Sequence, residues 1–546
     1  MASIDQELKE LLQQAARDAF DLPLEADTIR IDIPKFKEQG DYSSNLAMQL
    51  AKTLKKKPRE IAETLVQSAK TEGTPVESIE IAGPGFLNFR LVKDRYARLI
   101  PQILEQGSEY GQGADNGVKV NLEYVSANPT GSLHLGHARG AAWGDAVARI
   151  MKKAGYEVTR EYYINDAGNQ IRNLAESLRA RYLQALGQEA EIGPDGYLGQ
   201  DIKDKGAELA EKYGDKYAAD TPENLAFFRR EGIDFELDKI RKDLDFYRVH
   251  FDVWSSEQAL RDAGLLEKAL GVLAENEKTY EQDGALWFRT TDYGDDKDRV
   301  LRKTDGSYTY LTPDIAYHNS KYERGFDVLV DFLGADHHGY ITRLKGSMAA
   351  LGNDPDKLNV DIIQMVRLVH NGEEAKMSKR LGNATTIREL GEAVGVDAAR
   401  YFFVSRALDS QLDFDVELAV KQSSDNPVYY AQYAHARMCS ILKGLPELPA
   451  PESYTRLVHE KEIDLLKTLQ EYPSVVQDAA RTRQAHRIVH YIQNLAARFH
   501  SFYNVCKVND PADPELSAER AALISACRSV LADALSLIGV EAPESM

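Results

Sequence analysis

One join in the chain constrains its fold more than any other: a strand that empties into a small-residue loop and then into an Ala-rich helix. Lys119–Val125 alternates as a half-buried strand does. Residues 126–133 are mostly small or polar, and His134-Leu135-Gly136-His137 opens the helix. Free backbone N–H groups and the helix dipole at such a join attract an anion. Gly136 has no side chain, so a flat base or a sugar fits close to the backbone. His134 and His137, three residues apart, share a face of the first turn. Two imidazoles there donate hydrogen bonds to phosphoryl oxygens. Much later, Lys376-Met377-Ser378-Lys379-Arg380 supplies compact cations for the remaining phosphates.

Around this join, residues 118–390 alternate strands with helices, the α/β pattern of a parallel sheet with crossover helices. The expected strands are Val118–Val125, Glu157–Ile164, Val328–Leu333 and Val360–Leu368. Residues 191–293 read as a polar, mostly helical insertion between two halves of a nucleotide-binding fold. Residues 1–106 read as a separate small α/β domain. There Ile4, Leu8, Leu11, Leu12 and Ala15 keep helical spacing, and Ile29, Ile31 and Ile33 alternate. Pro58 suits a first helical turn, and Phe86–Leu91 is a strand after the Gly83-Pro84-Gly85 turn. Residues 107–117, with four glycines and no aliphatic run, form a linker. Residues 391–426 are a junction. From 427 to 546 helical spacing continues through 428–442, 460–469, 475–503 and 518–537, an all-α bundle.

The formal net charge of −19 argues, taken alone, against a nucleic-acid partner. Binding needs only a local basic surface, however. Between Asp478 and Asp510 there is no acid, while Arg481, Arg483, Arg487, Arg498 and Lys507 all occur. A solvated helix face and an RNA-facing one both produce such a run. Cys439, Cys506 and Cys527 form no Cys-x-x-Cys pair, so neither a zinc site nor a disulfide framework is expected. Met1–Glu10 lacks the apolar core of a signal peptide, and no run is long and apolar enough to span a membrane. The setting expected is a reducing cytoplasm, with no membrane partner.

The two signatures resemble those of class I aminoacyl-tRNA synthetases, His-Ile-Gly-His and Lys-Met-Ser-Lys-Ser, with Leu135 in place of Ile and Arg380 in place of the last Ser. A domain ahead of the first signature, the Tyr163–Gln170 segment with its Asn165-Asp166-Ala167-Gly168-Asn169-Gln170, and Asp397–Phe402 with the terminal helices resemble the arginyl-tRNA synthetases of bacterial type. The resemblance implies a Rossmann-like catalytic domain, a tRNA-contacting N-terminal domain and an anticodon-binding helical bundle. It also implies ATP with Mg²⁺, arginine and tRNA(Arg) as partners, and a monomer. His134, Gly136, His137, Lys376, Met377, Ser378 and Lys379 would bind ATP. Of these, His134, His137, Lys376 and Lys379 would stabilise the reacting phosphates.

A guanidinium is always charged and offers a planar fork of donors that carboxylates match. Glu123 and Asp314 match the family's guanidinium contacts, with Tyr310 closing the pocket and Asn128 holding the α-amino end. Asp336 or His337 would hold the ribose or amino group. No protein-bound metal is expected, because adjacent histidines such as His337 and His338 rarely chelate one ion. Two bland readings stand beside these: Glu123 as an exposed strand acid, and Asp314 as a helix cap after Pro313. Arg481, Arg483 and Arg487 are the candidates for tRNA contact. The rivals are another class I synthetase, cysteinyl above all, and a non-catalytic tRNA-binding paralogue. The first uses zinc, and no cysteine lies in the catalytic half; the second loses signature residues, which are intact here.

Overall fold

The computed structural model describes residues 4–335, 339–370, 373–374 and 386–546. The chain divides into two compact units. One comprises Met1–Gly107, Gly444–Gln470 and Arg498–Cys527; the other comprises Ser108–Lys443, Glu471–Ala497 and Arg528–Met546.

The larger unit is organised by a five-stranded parallel sheet. Its strands are β1 (Lys119–Glu123), β2 (Glu157–Ile164), β3 (Val253–Ser256), β4 (Val328–Gly334) and β5 (Leu358–Ile363), in the order β5-β4-β1-β2-β3. The chain runs outward from β1 to β3, then returns to the other side of β1. That reversal leaves a crevice past the carboxyl ends of β1 and β4, where such sheets bind ligands. Val120, Leu122, Leu329 and Val330 are fully buried, as strands covered on both faces require.

Helix α1 (Leu135–Lys153) crosses from β1 to β2. It lies so close to the sheet that a Cβ on Gly144 would sit 2.3 Å from the Tyr124 ring, which explains the small residues along it. At its middle, fully buried Asp145 accepts from Arg400 (2.5 Å) and from Arg149 (2.7 Å). Arg400 also donates to the carbonyls of Tyr247 (2.9 Å) and Ile538 (3.1 Å). Gly539, at φ 67°, passes so near that a Cβ would lie 2.1 Å from this guanidinium. The last residues of the chain are therefore packed against the helix that carries the first signature.

Three elements depart from expectation. Val360–Leu368 is not one strand: β5 ends at Ile363, and β6 (Val366–His370) pairs in a second sheet with β7 (Leu412–Asp415). Residues 191–293 are helical at Gln200–Tyr213, at α2 (Pro222–Phe246), at α3 (Glu257–Asp262) and, after a break at Ala263–Gly264, at Leu265–Glu275, but β3 belongs to the main sheet, and Thr279–Gln282, Ala285–Phe288 and Arg299–Arg302 form a small antiparallel sheet. Short strands with polar residues carry too little periodicity to be read. Residues 475–503 are divided between Glu460–Thr482, which continues through Pro473, and His486–Val505. Arg483 (φ 53°) makes the break: its N–H donates to Ala480 O and that of Gln484 to Ala479 O, a Schellman C-cap without glycine.

The smaller unit has an antiparallel sheet of Ile31–Asp32, Tyr42–Ser44, Phe86–Leu91 and Val76–Ala82, in that spatial order. Helices Ile4–Phe20, Leu46–Leu54 and Pro58–Ser68 contribute Leu8, Ala47, Ile61 and Leu65 to its core, with Leu87 and Phe89 from the sheet. None of the described helices is long and apolar enough to cross a membrane.

Candidate active site

His134 caps α1. Its Nδ1 accepts from the Gly136 N–H (3.1 Å), and its own N–H donates to Nδ1 of His137 (3.2 Å). The rings lie 3.7 Å apart between centroids. With both Nδ1 atoms accepting, each neutral ring carries its proton on Nε2 as a donor. Burial lowers the pKa of both rings, that of His137 to about 4 with the neighbouring His134 adding to the effect. Leu133 O accepts from Ile387 N–H (2.8 Å), and His134 forms a bridge with Thr386, so the chain returns to the first signature directly after residue 385. Arg139, fully buried on α1, donates to the carbonyls of Gln364 (2.8 Å), Ser410 (2.9 Å) and Ala407 (2.9 Å), just before β6 and β7. Lys376, Met377, Ser378, Lys379 and Asp336 lie outside the described residues.

Past the end of β1, Val125 and Ser126 take left-handed φ values of 68° and 38°. Such backbone costs a β-branched residue roughly 1–3 kcal/mol and persists where the surroundings enforce it. It turns the Ser126 hydroxyl back to donate to Glu123 Oε1 (3.0 Å) while accepting from Tyr163 N–H (3.0 Å). Glu123 is buried, not exposed, and its Oε2 accepts from Lys321 on α4 (Leu311–Glu323) at 2.5 Å. Asp314, one turn into α4, is not the helix cap; that position is Tyr310. It accepts from the Tyr340 hydroxyl. Burial raises its carboxyl to about 6, against that hydrogen bond and with Glu123 and Glu257 adding to the rise.

Glu257 is an acid that sequence reasoning missed. It starts α3 (Glu257–Asp262) directly after β3 and is buried. Arg261 donates to it at 2.6 Å and Tyr163 at 3.1 Å. The only signal was the N-cap pattern at Ser256, whose hydroxyl accepts from Ala259 N–H.

Glu123, Asp314 and Glu257 are thus brought into one electrostatic neighbourhood. Asn128 sits exposed on the signature loop and donates to Gln170 (2.8 Å), tying that loop to the Tyr163–Gln170 segment. Tyr310 is 80% exposed and lines a cavity of about 930 Å³ with Asn165, Arg229, Glu257, Arg261 and Tyr308. Asp166 serves the walls: it accepts from Ser256 (2.6 Å) and Gln258 N–H (2.8 Å). Glu123, His318 and Asp331 place possible metal-ligand atoms within 4.8 Å of one another, but the Lys321 ammonium already bonds both acids.

The basic run is engaged to different degrees. Arg481 meets Asp478 (3.0 Å) and Arg487 meets Gln484 (2.7 Å), both within one turn. Arg483 forms a two-pronged pair with Asp361 on β5 (2.7 and 3.1 Å). Tyr491, Phe499 and Phe502 are buried.

Three family models tile the chain: "Arginyl tRNA synthetase N terminal domain" over 6–91, "tRNA synthetases class I (R), catalytic domain" over 99–413, and "DALR anticodon binding domain" over 431–546. The chain belongs to the arginyl-tRNA synthetase family. It is 54% identical to the arginine–tRNA ligase of Anoxybacillus flavithermus over 548 residues, covering 99% of each chain. It is 56% identical to that of Bacillus cereus over 522 residues, covering 94% of each. Its fold matches a Thermus thermophilus arginyl-tRNA synthetase at TM-score 0.74, with 24% identity and 99% of each chain covered. Within this family frame, Asp397–Phe402 falls in the span of the catalytic model and not in that of the anticodon-binding one. Membership of class I also carries the use of ATP.

Proposed function

We infer that the chain is an arginine–tRNA ligase that makes arginyl-adenylate from arginine and ATP, then passes the arginyl group to the terminal ribose of tRNA(Arg). In the first step an arginine carboxylate oxygen bonds to the α-phosphorus and the bond to the pyrophosphate oxygen breaks. The protein needs no nucleophile; it positions the reactants and stabilises developing charge. His134 and His137 donate their Nε2–H groups to the α-phosphate and the leaving oxygen. Lys376 and Lys379 take the pyrophosphate, with Met377, Ser378 and Gly136 shaping the nucleotide site, and Mg²⁺ arrives with ATP. Asp314 and Glu123 receive the guanidinium, Asn128 the α-amino group, Asp336 the ribose or amino group, and Tyr310 closes over the substrate.

The observation that carries arginine as the substrate is the grouping of buried acids: Glu123, Asp314 and Glu257 share one neighbourhood, and among the described residues Asp314 bonds a hydroxyl and no cation. Residues 1–106 would grip one part of the tRNA and 427–546 its anticodon, with 107–117 and 391–426 joining them to the catalytic domain at 118–390, in a cytoplasmic monomer. Near full-length identity to arginine–tRNA ligases disfavours a cysteinyl enzyme, and the intact histidine pair disfavours a non-catalytic paralogue. ATP–pyrophosphate exchange, run with tRNA against a panel of amino acids, tests the reading. Arginine alone should support exchange; turnover with another amino acid, or with none, overturns it.

A further inference from the structure

Lys321 is wholly buried in the middle of α4. Its Nζ lies 2.5 Å from Glu123 Oε2 and 2.8 Å from Asp331 Oδ1. The other oxygen of Asp331 lies 2.6 Å from His318 Nε2, and His318 Nδ1 lies 2.8 Å from the carbonyl of Asp314. Four contacts therefore join the two acids assigned to the guanidinium: Glu123, Lys321, Asp331, His318, Asp314. Both partners of His318 are acceptors, so both ring nitrogens donate and the ring is an imidazolium. Burial opposes that charge, and the Asp331 carboxylate outweighs it and raises the pKa.

The surrounding charges then match pairwise. Glu123 faces Lys321, Asp331 faces His318, Glu161 faces Arg324 (2.8 Å) and Glu257 faces Arg261 (2.6 Å). Asp314 accepts from the Tyr340 hydroxyl; among the described residues no cation bonds its carboxylate, and the His318 ring one turn on acts on it only through space. Among the described residues this leaves Asp314 as a guanidinium acid with no bonded cation and Glu123 as a fixed acceptor that already has one.

We propose that Lys321 is a positioning residue for arginine recognition: it locks Glu123 as a neutralised acceptor for the planar guanidinium and leaves Asp314 as the guanidinium acid without a bonded cation. This rests on the assignment of Glu123 and Asp314 to the guanidinium. Lys321 touches no substrate and acts through Glu123. A guanidinium spans both acids with its fork, whereas the point charge of an ammonium reaches one of them.

The test uses full-length protein with tRNA and compares the KM values for arginine and ATP in three variants. The double variant Lys321→Met/Asp331→Asn removes one cation and one acid together, so the net charge of the buried network is unchanged while Glu123 and His318 each lose a partner. Lys321→Gln keeps a donor for Glu123 without the charge and guards against a double variant that fails to fold. Glu123→Gln reports on the underlying assignment. Thermal melting establishes that each variant is folded. The double variant should raise the arginine KM about tenfold, the order of one lost hydrogen bond to a charged group, and leave the ATP KM unchanged. Lys321→Gln should raise it less. A folded Lys321 variant whose arginine KM stays at the wild-type value, or whose two KM values rise together, overturns the proposal if Glu123→Gln raises the arginine KM alone. If Glu123→Gln leaves the arginine KM unmoved, the assignment of Glu123 fails and the role of Lys321 fails with it.

Discussion

A histidine at the start of α1 is useful because it is neutral. His137 keeps its neutral Nε2–H at any pH well above 4, so its contribution to phosphate binding should not titrate in the physiological range. Replacing it with alanine should cost about 3 kcal/mol of transition-state stabilisation, as loss of one preorganised donor does, and leave the melting temperature nearly unchanged. Single-turnover adenylate formation measures the first, and an unchanged rate in a folded variant removes His137 from the mechanism. Asp314 behaves in the opposite sense. Its raised carboxyl is ionised above about 6 and protonated below, and only the ionised form pairs with a guanidinium. The arginine KM should therefore climb as pH falls from 7 to 5 while the ATP KM holds; equal movement of both would point to unfolding or to a nucleotide group instead. Glu123 and Asp314 were legible through resemblance alone, since neither position carries a local signal. Lys321 and Glu257 were illegible: a lysine inside a helix and an acid after a capping serine both read as surface residues until the flanking strands bury them.

The sequence announced elements better than it announced their ends. The strands Glu157–Ile164 and Phe86–Leu91 and the helix beginning at Pro58 came directly from periodicity and turn chemistry. The split of Val360–Leu368 did not, because what stops β5 is tertiary: Arg139 draws Gln364 O toward α1. Among the described residues that guanidinium hydrogen-bonds three carbonyls and no carboxylate, so it fixes the entries to β6 and β7 against the first signature. Arg139→Gln should lower unfolding stability by about 3 kcal/mol in urea titration, because buried carbonyls are left unpaired. A loss under about 1 kcal/mol would mean that water replaces the guanidinium at little cost. Gly144→Ala tests the close approach of α1 to β1. With Tyr124 directly beneath, overpacking should cost about 1–3 kcal/mol, where an exposed helical glycine would gain stability from the same change.

For the whole molecule the question is how a chain of net charge −19 holds an RNA. The basic run supplies fewer free cations than its composition suggests, because Arg483 is committed to Asp361 and to capping its own helix. Neutralising Arg481 and Arg487 together should flatten the salt dependence of tRNA binding by up to about one unit for each lost phosphate contact. Arg483→Gln should instead lower stability and leave that slope alone. If the slope is untouched in the first variant, this helix end is a solvated face and the RNA surface lies elsewhere.

The contact at Ile538 has a consequence for the chain's birth. Arg400 binds Asp145 under the signature helix and is itself held by the carbonyl of Ile538, beside Gly539. Synthesis proceeds from the amino end, and domains fold as they emerge. Until Ile538 leaves the ribosome, the buried Arg400–Asp145 pair lacks one of its partners. The nascent nucleotide half is thus left incompletely braced while everything between Arg400 and Ile538 is still being made, so the first signature gains its last support long after its own residues have emerged.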